Sequence, residues 1–158
     1  MRRLRAVFLP IIIVGLLGLP GTANTGADVT PEKLSITVTP RGNETGARTF
    51  SVALLCSSDA EREQGLQGFR RLRTDEAALF VFSRPQVVTF WMGTVQYPLD
   101  IIFVGPDGTV TGVAPDCRPG SSALYGSGVP VSRVIETAAN SGILFGDRIT
   151  LHGQKSPE

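Results

Sequence analysis

The chain has 158 residues, 15 of them basic and 14 acidic, with 42% apolar residues, 18 glycines, 11 prolines, two cysteines and one histidine. That length suits one domain rather than two, the apolar share excludes a disordered chain, and the charge balance excludes a strongly basic nucleic-acid binder. One histidine and two cysteines leave no ligand set for most zinc sites and make a His-based triad a poor fit, so no metal or cofactor is expected.

Arg2, Arg3 and Arg5 precede an apolar stretch from Ala6 to Leu19, and Pro20 then breaks any helix. This is the order of a secretory signal, and the stretch is short of the roughly 20 residues that span a bilayer as a helix. Gly21-Thr22-Ala23 and Thr25-Gly26-Ala27 are two small-residue cleavage sites, so residues 1–23, or as late as 27, are expected to be removed. No cysteine stands there to accept a lipid, and Arg5 interrupts the apolar residues that should follow paired arginines on the twin-arginine route. Removal of the three arginines leaves 12 basic and 14 acidic residues, a net charge of −2, which withdraws support for a polyanion partner. The mature protein is expected to be exported, periplasmic or extracellular, with no membrane span after processing.

Residues 24–33 are polar and turn-prone and form a tether; residues 34–152 form a single β-rich domain, and 153–158 a tail. Leu34, Ile36 and Val38 alternate with Ser35, Thr37 and Thr39, the period of a half-buried strand. Pro40–Arg48 is a loop and Phe50–Leu55 a second strand, together an antiparallel hairpin. Ser58 and Glu61 stand at capping-box spacing, Asp59 lies in the first turn, and Gly68 fits the position that stops the helix. Arg70, Arg71 and Arg73 form the only basic cluster of the mature chain, which fits a solvated face or an anion contact. Leu79–Phe82 and Val87–Met92 are short strands separated by Ser83-Arg84-Pro85. Leu99–Val104 and Thr109–Val113 flank the turn Gly105-Pro106-Asp107-Gly108. Six of the 11 aromatic residues fall between Phe80 and Phe103, which places the core there. Ala114–Pro130 is a long Gly/Pro/Ser-rich loop, Val131–Glu136 a strand, Ala138–Ser141 a helical turn ending at Gly142, and Arg148–Leu151 the last strand. The fold class is mainly β, a compact sandwich or barrel (jelly-roll-like) with one or two short helices.

Glu61-Arg62, Gly65-Leu66 and Gly68, then Leu79-Phe80-Val81-Phe82, Phe90-Trp91-Met92, Pro98-Leu99-Asp100-Ile101-Ile102-Phe103, Tyr125-Gly126-Ser127-Gly128, and Gly142-Ile143 with Gly146-Asp147-Arg148 resemble the signature of the prokaryotic domain of unknown function 192 family. The resemblance spans about residues 50 to 150. It implies a compact, mainly β domain, often exported, with no established activity. Gln67 stands where that family usually has methionine. Gly93, Thr94 and Val95 replace its common Lys-Asn-Thr, and the segment between Glu136 and Ala138 is shorter than usual. Only Cys117 remains of two cysteines that many relatives carry before YGSG.

Four residues are candidates for a binding site: Trp91, Asp100, Tyr125 and Ser127. Asp100 sits in an apolar strand and must be paired, hydrogen-bonded or protonated, either tied to backbone N–H groups of a neighbouring loop or facing a ligand as an acid. Trp91 is either a partly buried core residue or a ligand-stacking indole on the more polar face of its strand. Ser127 is a turn residue or part of an anion-binding nest, and Tyr125 stands at the rim of the same loop. His152 lies beyond the signature and is not a catalytic base. Cys56 and Cys117 either form a disulfide closing about 60 residues, contributing roughly 4 kcal/mol, or stay free, Cys56 buried at the end of a strand. The reading these residues favour is a non-enzymatic binding or accessory module of the cell envelope whose partner is a small molecule or envelope component. The alternative is an enzyme using Asp100 as general acid or base on an envelope glycan or small metabolite, with Asp116 the one loop acid able to assist. A third reading is an interaction protein using an apolar surface around Trp91.

Overall fold

The computed structural model describes residues 34–153, so the signal, the tether and all but the first residue of the tail lie outside the described residues. The hairpin expected at the start forms from β1 (Ser35–Thr39) and β2 (Arg48–Cys56), paired antiparallel with Ile36 opposite Phe50. Ile36 and Val38 are buried and the intervening threonines are not, as the period-two pattern requires. The chain then crosses over through α1 (Asp59–Gln64) to β3 (Glu76–Gln86), which runs parallel to β2. A parallel pair needs such a crossover, and this pair is the exception in an otherwise antiparallel sheet.

The remaining strands are β4 (Thr89–Trp91), β5 (Leu99–Val104), β6 (Val110–Cys117), β7 (Leu124–Gly126), β8 (Val131–Ala138) and β9 (Arg148–His152). Seven of them make one curled sheet in the order β6-β5-β8-β3-β2-β1-β9, and β4 pairs with β7 in a small ribbon. The two outer strands of the large sheet approach one another at one end. Val110 N–H donates to the Asp147 carbonyl at 2.8 Å, Ile149 N–H to the Gly108 carbonyl at 2.8 Å, and Thr109 bridges Arg148. A Cβ at Gly108, where φ is +85°, would stand 2.8 Å from the Ile149 carbonyl oxygen, so this contact requires glycine. The result is a half-barrel that covers part of its own edges.

Each face of the sheet carries a core. Ile36, Val38, Leu79, Ile102 and Ile135 pack on the concave side, whereas Phe80, Leu99, Ile101, Phe103 and Val134 pack on the other. All six residues of β5 are therefore buried, which explains why its sequence shows no solvent side. The second core is covered by the turn after α1, by the 92–97 segment and by the β4–β7 ribbon.

Four expectations need correction. The helix stops at Gly65, whose backbone (φ +48°, ψ −135°) suits glycine alone, rather than at Gly68. Ser83-Arg84-Pro85 lies within β3 instead of dividing two strands. The register with β8 jumps there from Val81 opposite Arg133 to Gln86 opposite Val131, and this irregularity accommodates a proline without a ladder donor. The long loop is in part strand, because β6 continues to Cys117 and residues 124–126 form β7. No helical turn forms at 138–141: Ala138 pairs with Leu99, and the Asp100 carboxylate takes the N–H groups of Asn140 and Ser141. Among the described residues no helix is long and apolar enough to cross a membrane.

Candidate functional site

The α1 crossover builds one wall of a cleft. The Ser58 side chain accepts from Glu61 N–H while the Glu61 carboxylate accepts the N–H groups of Ser57 and Ser58, each at 2.8 Å, so the expected capping box is formed. Those backbone hydrogen bonds hold the Glu61 carboxyl down at about 2. Arg62 pairs with Asp59 and donates to the Val81 carbonyl at 2.7 Å, pinning the helix to β3, and its guanidinium lies 5.3 Å from the Phe82 ring centre. Gly65 then turns the chain over Phe80, whose ring stands 3.5 Å from the place a Cβ would occupy.

The opposite wall is Phe90 and Trp91 of β4, and the floor includes Phe80 and Glu136. The cleft encloses about 50 Å³. Phe80 and Phe90 meet edge to face with ring centres 5.0 Å apart. Trp91 is about a third exposed and lies at the mouth. Its indole folds back across Gly93: a Cβ there would be 1.8 Å from the ring. The glycine in the place of the family's lysine is thus what allows this indole position. Gly93→Ala is expected to displace Trp91, and because the chain has one tryptophan, the change is readable as a shift in its emission maximum. An unchanged spectrum would show that the indole does not rest there in solution.

Glu136 is the residue that sequence reasoning missed. Its side chain shares the pleat face of Val134, opposite Ile101 and Ala78 on the neighbouring strands, and it is only 5% exposed. Among the described residues its carboxyl has no hydrogen-bond or salt-bridge partner, and desolvation raises its pKa to about 8. The same argument that singled out Asp100 applies to it: an acid whose position in a strand places it on the apolar face must be compensated or protonated. Three further groups surround this core. Burial pushes the thiols of Cys56 and Cys117 up to about 12 and about 11, and the Tyr97 hydroxyl to about 12, with the Glu136 charge adding to each.

The other candidates separate. Asp100 alternates with Leu99 and Ile101 and so faces the concave side, away from Trp91 and the cleft. Its Oδ1 accepts Asp116 N–H at 2.9 Å and Asn140 N–H at 3.3 Å, while Oδ2 accepts Ser141 N–H at 2.8 Å and the Ser141 hydroxyl at 2.7 Å. It ties two segments to β5. The Ser127 hydroxyl accepts Val88 N–H at 3.1 Å and donates to the Val129 carbonyl at 2.8 Å, clasping the loop to the start of the ribbon. Tyr125 pairs with Phe90 across the ribbon and packs on the core. Cys56 and Cys117 are both free and buried, ending strands β2 and β6 that lie four places apart in the sheet. Of the basic cluster, Arg70 grips buried Glu76 through two bonds at 2.6 and 2.7 Å and Arg73 adds a third contact, which holds that carboxyl at about 2.

The family described as Uncharacterized ACR (DUF192) matches residues 39–151, and the chain belongs to it. No curated protein matches. Solved structures similar to this chain include the following two. The first, from Sinorhizobium meliloti 1021 and named a "putative transcription regulator", is 29% identical with a TM-score of 0.70, over 77% of this chain and 95% of that one. The second, a protein of unknown function from Novosphingobium aromaticivorans DSM 12444, is 28% identical with a TM-score of 0.68, over 83% and 99%.

Proposed function

We propose that this chain is an exported accessory domain of the cell envelope that binds a small molecule in the cleft beneath Trp91. The observation that carries the binding site is Glu136, a carboxyl 5% exposed, with no hydrogen-bond partner among the described residues, in the lining of a cleft with aromatic walls. A carboxyl largely withdrawn from water without a protein partner is costly, and ligand sites are where such cost is retained. Export is supported by the order of Arg2, Arg3 and Arg5, the apolar run and the small-residue cleavage sites. Trp91 keeps its place in this reading. Asp100 does not, because four donors already occupy its carboxylate and it faces the other side of the sheet.

Native mass spectrometry of protein purified from its own compartment is the direct test. The expected species is a chain beginning at Asn24 or Asp28 with a non-covalent adduct that Trp91→Ala releases. A chain that retains Met1 in the membrane fraction would overturn export, and an adduct unaffected at Trp91 would overturn the site.

A proton-transfer enzyme is the second reading, and one feature favours it: burial raises the Glu136 carboxyl to about 8, bringing it toward the range in which a general acid or base works. It takes the role first given to Asp100. Turnover of an adduct by the wild type, with a pH profile that follows the Glu136 ionisation and is lost in Glu136→Gln, would select this reading.

A further inference from the structure

We infer that the ligand of this cleft is a small cationic amine, its ammonium head seated against Glu136 and its apolar body lying along Phe80, Phe90 and Trp91. The inference rests on the cleft being a binding site and names the chemistry it selects. An unpartnered carboxyl in an aromatic-walled hollow offers an ammonium both an ion pair and π faces, neither of which water or a neutral ligand matches. The cleft lining already holds one cation against an aromatic ring, since the Arg62 guanidinium lies over Phe82.

The charges facing the cleft agree. Glu63 stands in its lining, and Arg62, the one cation there, is compensated by Asp59 and committed to the Ser57 and Val81 carbonyls. An anion would therefore meet Glu63 and Glu136 with no free donor from Arg62. Cys56, Cys117 and Tyr97, the other titratable groups around Glu136, stay neutral well above physiological pH. The enclosed volume of about 50 Å³ admits a head group of a few atoms, so the rest of the ligand extends past Trp91.

Binding has a proton balance. The ligand arrives as an ammonium ion, the Glu136 carboxyl gives its proton to solvent, and an ammonium–carboxylate pair replaces a neutral acid. Apparent affinity should therefore rise roughly tenfold per pH unit below the ionisation of Glu136 and flatten above it, while the amine remains charged.

The experiment is a titration of Trp91 emission, paired with calorimetry, using benzylamine, benzyl alcohol and benzoate as probes of one shape and three charges. Benzylamine is expected to bind at least tenfold more tightly than benzyl alcohol at pH 8, with proton release in buffers of different ionisation enthalpy. Glu136→Gln should abolish that preference, bringing benzylamine down to the affinity of benzyl alcohol and ending the proton release. Equal binding of amine and alcohol, or preference for benzoate, would overturn the amine and leave the cleft as a site. Silence from all three probes in both measurements would overturn the cleft itself.

Discussion

Glu136→Gln is expected to stabilise the domain by about 3 kcal/mol at pH 7 and about 4 kcal/mol at pH 8, and by almost nothing at pH 4. The sign follows from the direction of the shift. The carboxyl titrates at about 8 in the folded protein against 4.5 as its ordinary value. Below pH 4.5 both folded and unfolded chains hold the proton, and ionisation contributes no difference. Between 4.5 and 8 the unfolded chain releases it while the folded chain does not, so stability falls as pH rises. Above about 8 both are ionised and the full cost is present. Glutamine removes that cost and keeps the volume. Paired thermal melts of wild type and variant should diverge with pH, by on the order of 10 °C at pH 8. Parallel curves across the range would mean that a partner compensates Glu136 in solution. A core position at which a neutral isostere outperforms the native residue is one where stability has been given up for another purpose, and ligand binding in the cleft is the purpose we propose.

Asp100→Ala should act in the opposite direction and be large, a loss of about 4 kcal/mol, with Asp100→Asn losing roughly half as much. The carboxylate accepts three backbone N–H groups and one hydroxyl, all from segments that wrap round the end of β5. Two of the three backbone donors, Asp116 (φ +48°) and Asn140 (φ +67°), are the non-glycine residues with left-handed backbone among the described residues. Such conformations persist only where surrounding bonds hold them, and here a single side chain holds both. Alanine leaves those N–H groups without an acceptor. Asparagine keeps one oxygen but turns an amide N–H₂ toward donors. Thermal melting should show the loss, whereas titration of Trp91 emission below the transition should be unchanged, since Asp100 faces away from the cleft. Weakened binding without a change in melting would return Asp100 to the site.

Much of this architecture was legible in the sequence because local rules and tertiary contacts agree. Alternation in Leu34–Thr39 becomes β1, Ser58 and Glu61 form their capping box, and the unbroken apolar run Leu99–Val104, its aspartate apart, becomes a strand buried on both faces. The conflict at Asp100 was also visible, and so was its resolution by neighbouring N–H groups as one of two readings. Where local pattern and long-range pairing disagreed, pairing prevailed. Ala138–Ser141 has the composition of a helical turn, yet Leu99 pairs with Ala138 and the Asp100 carboxylate holds the N–H groups of Asn140 and Ser141 in an irregular turn. Pro85 marks a break by local rules, yet β3 runs through it because the sheet tolerates an irregularity there.

The sequence by itself determined the fold class, the order of most strands, the capped helix and the family, because these depend on periodicity, turn chemistry and residues near one another in the chain. Only the tertiary structure decided the site. Glu136 becomes remarkable in charge only when β8 places it beside Phe80 on β3 and under the crossover helix, and Trp91 reaches the mouth only because Gly93 leaves room for its ring. Residues 62, 80, 91 and 136 are too far apart along the chain for any local pattern to join them. Desolvation, which sets the state of Glu136, is a property of what surrounds a residue in space, and a linear reading has no access to it.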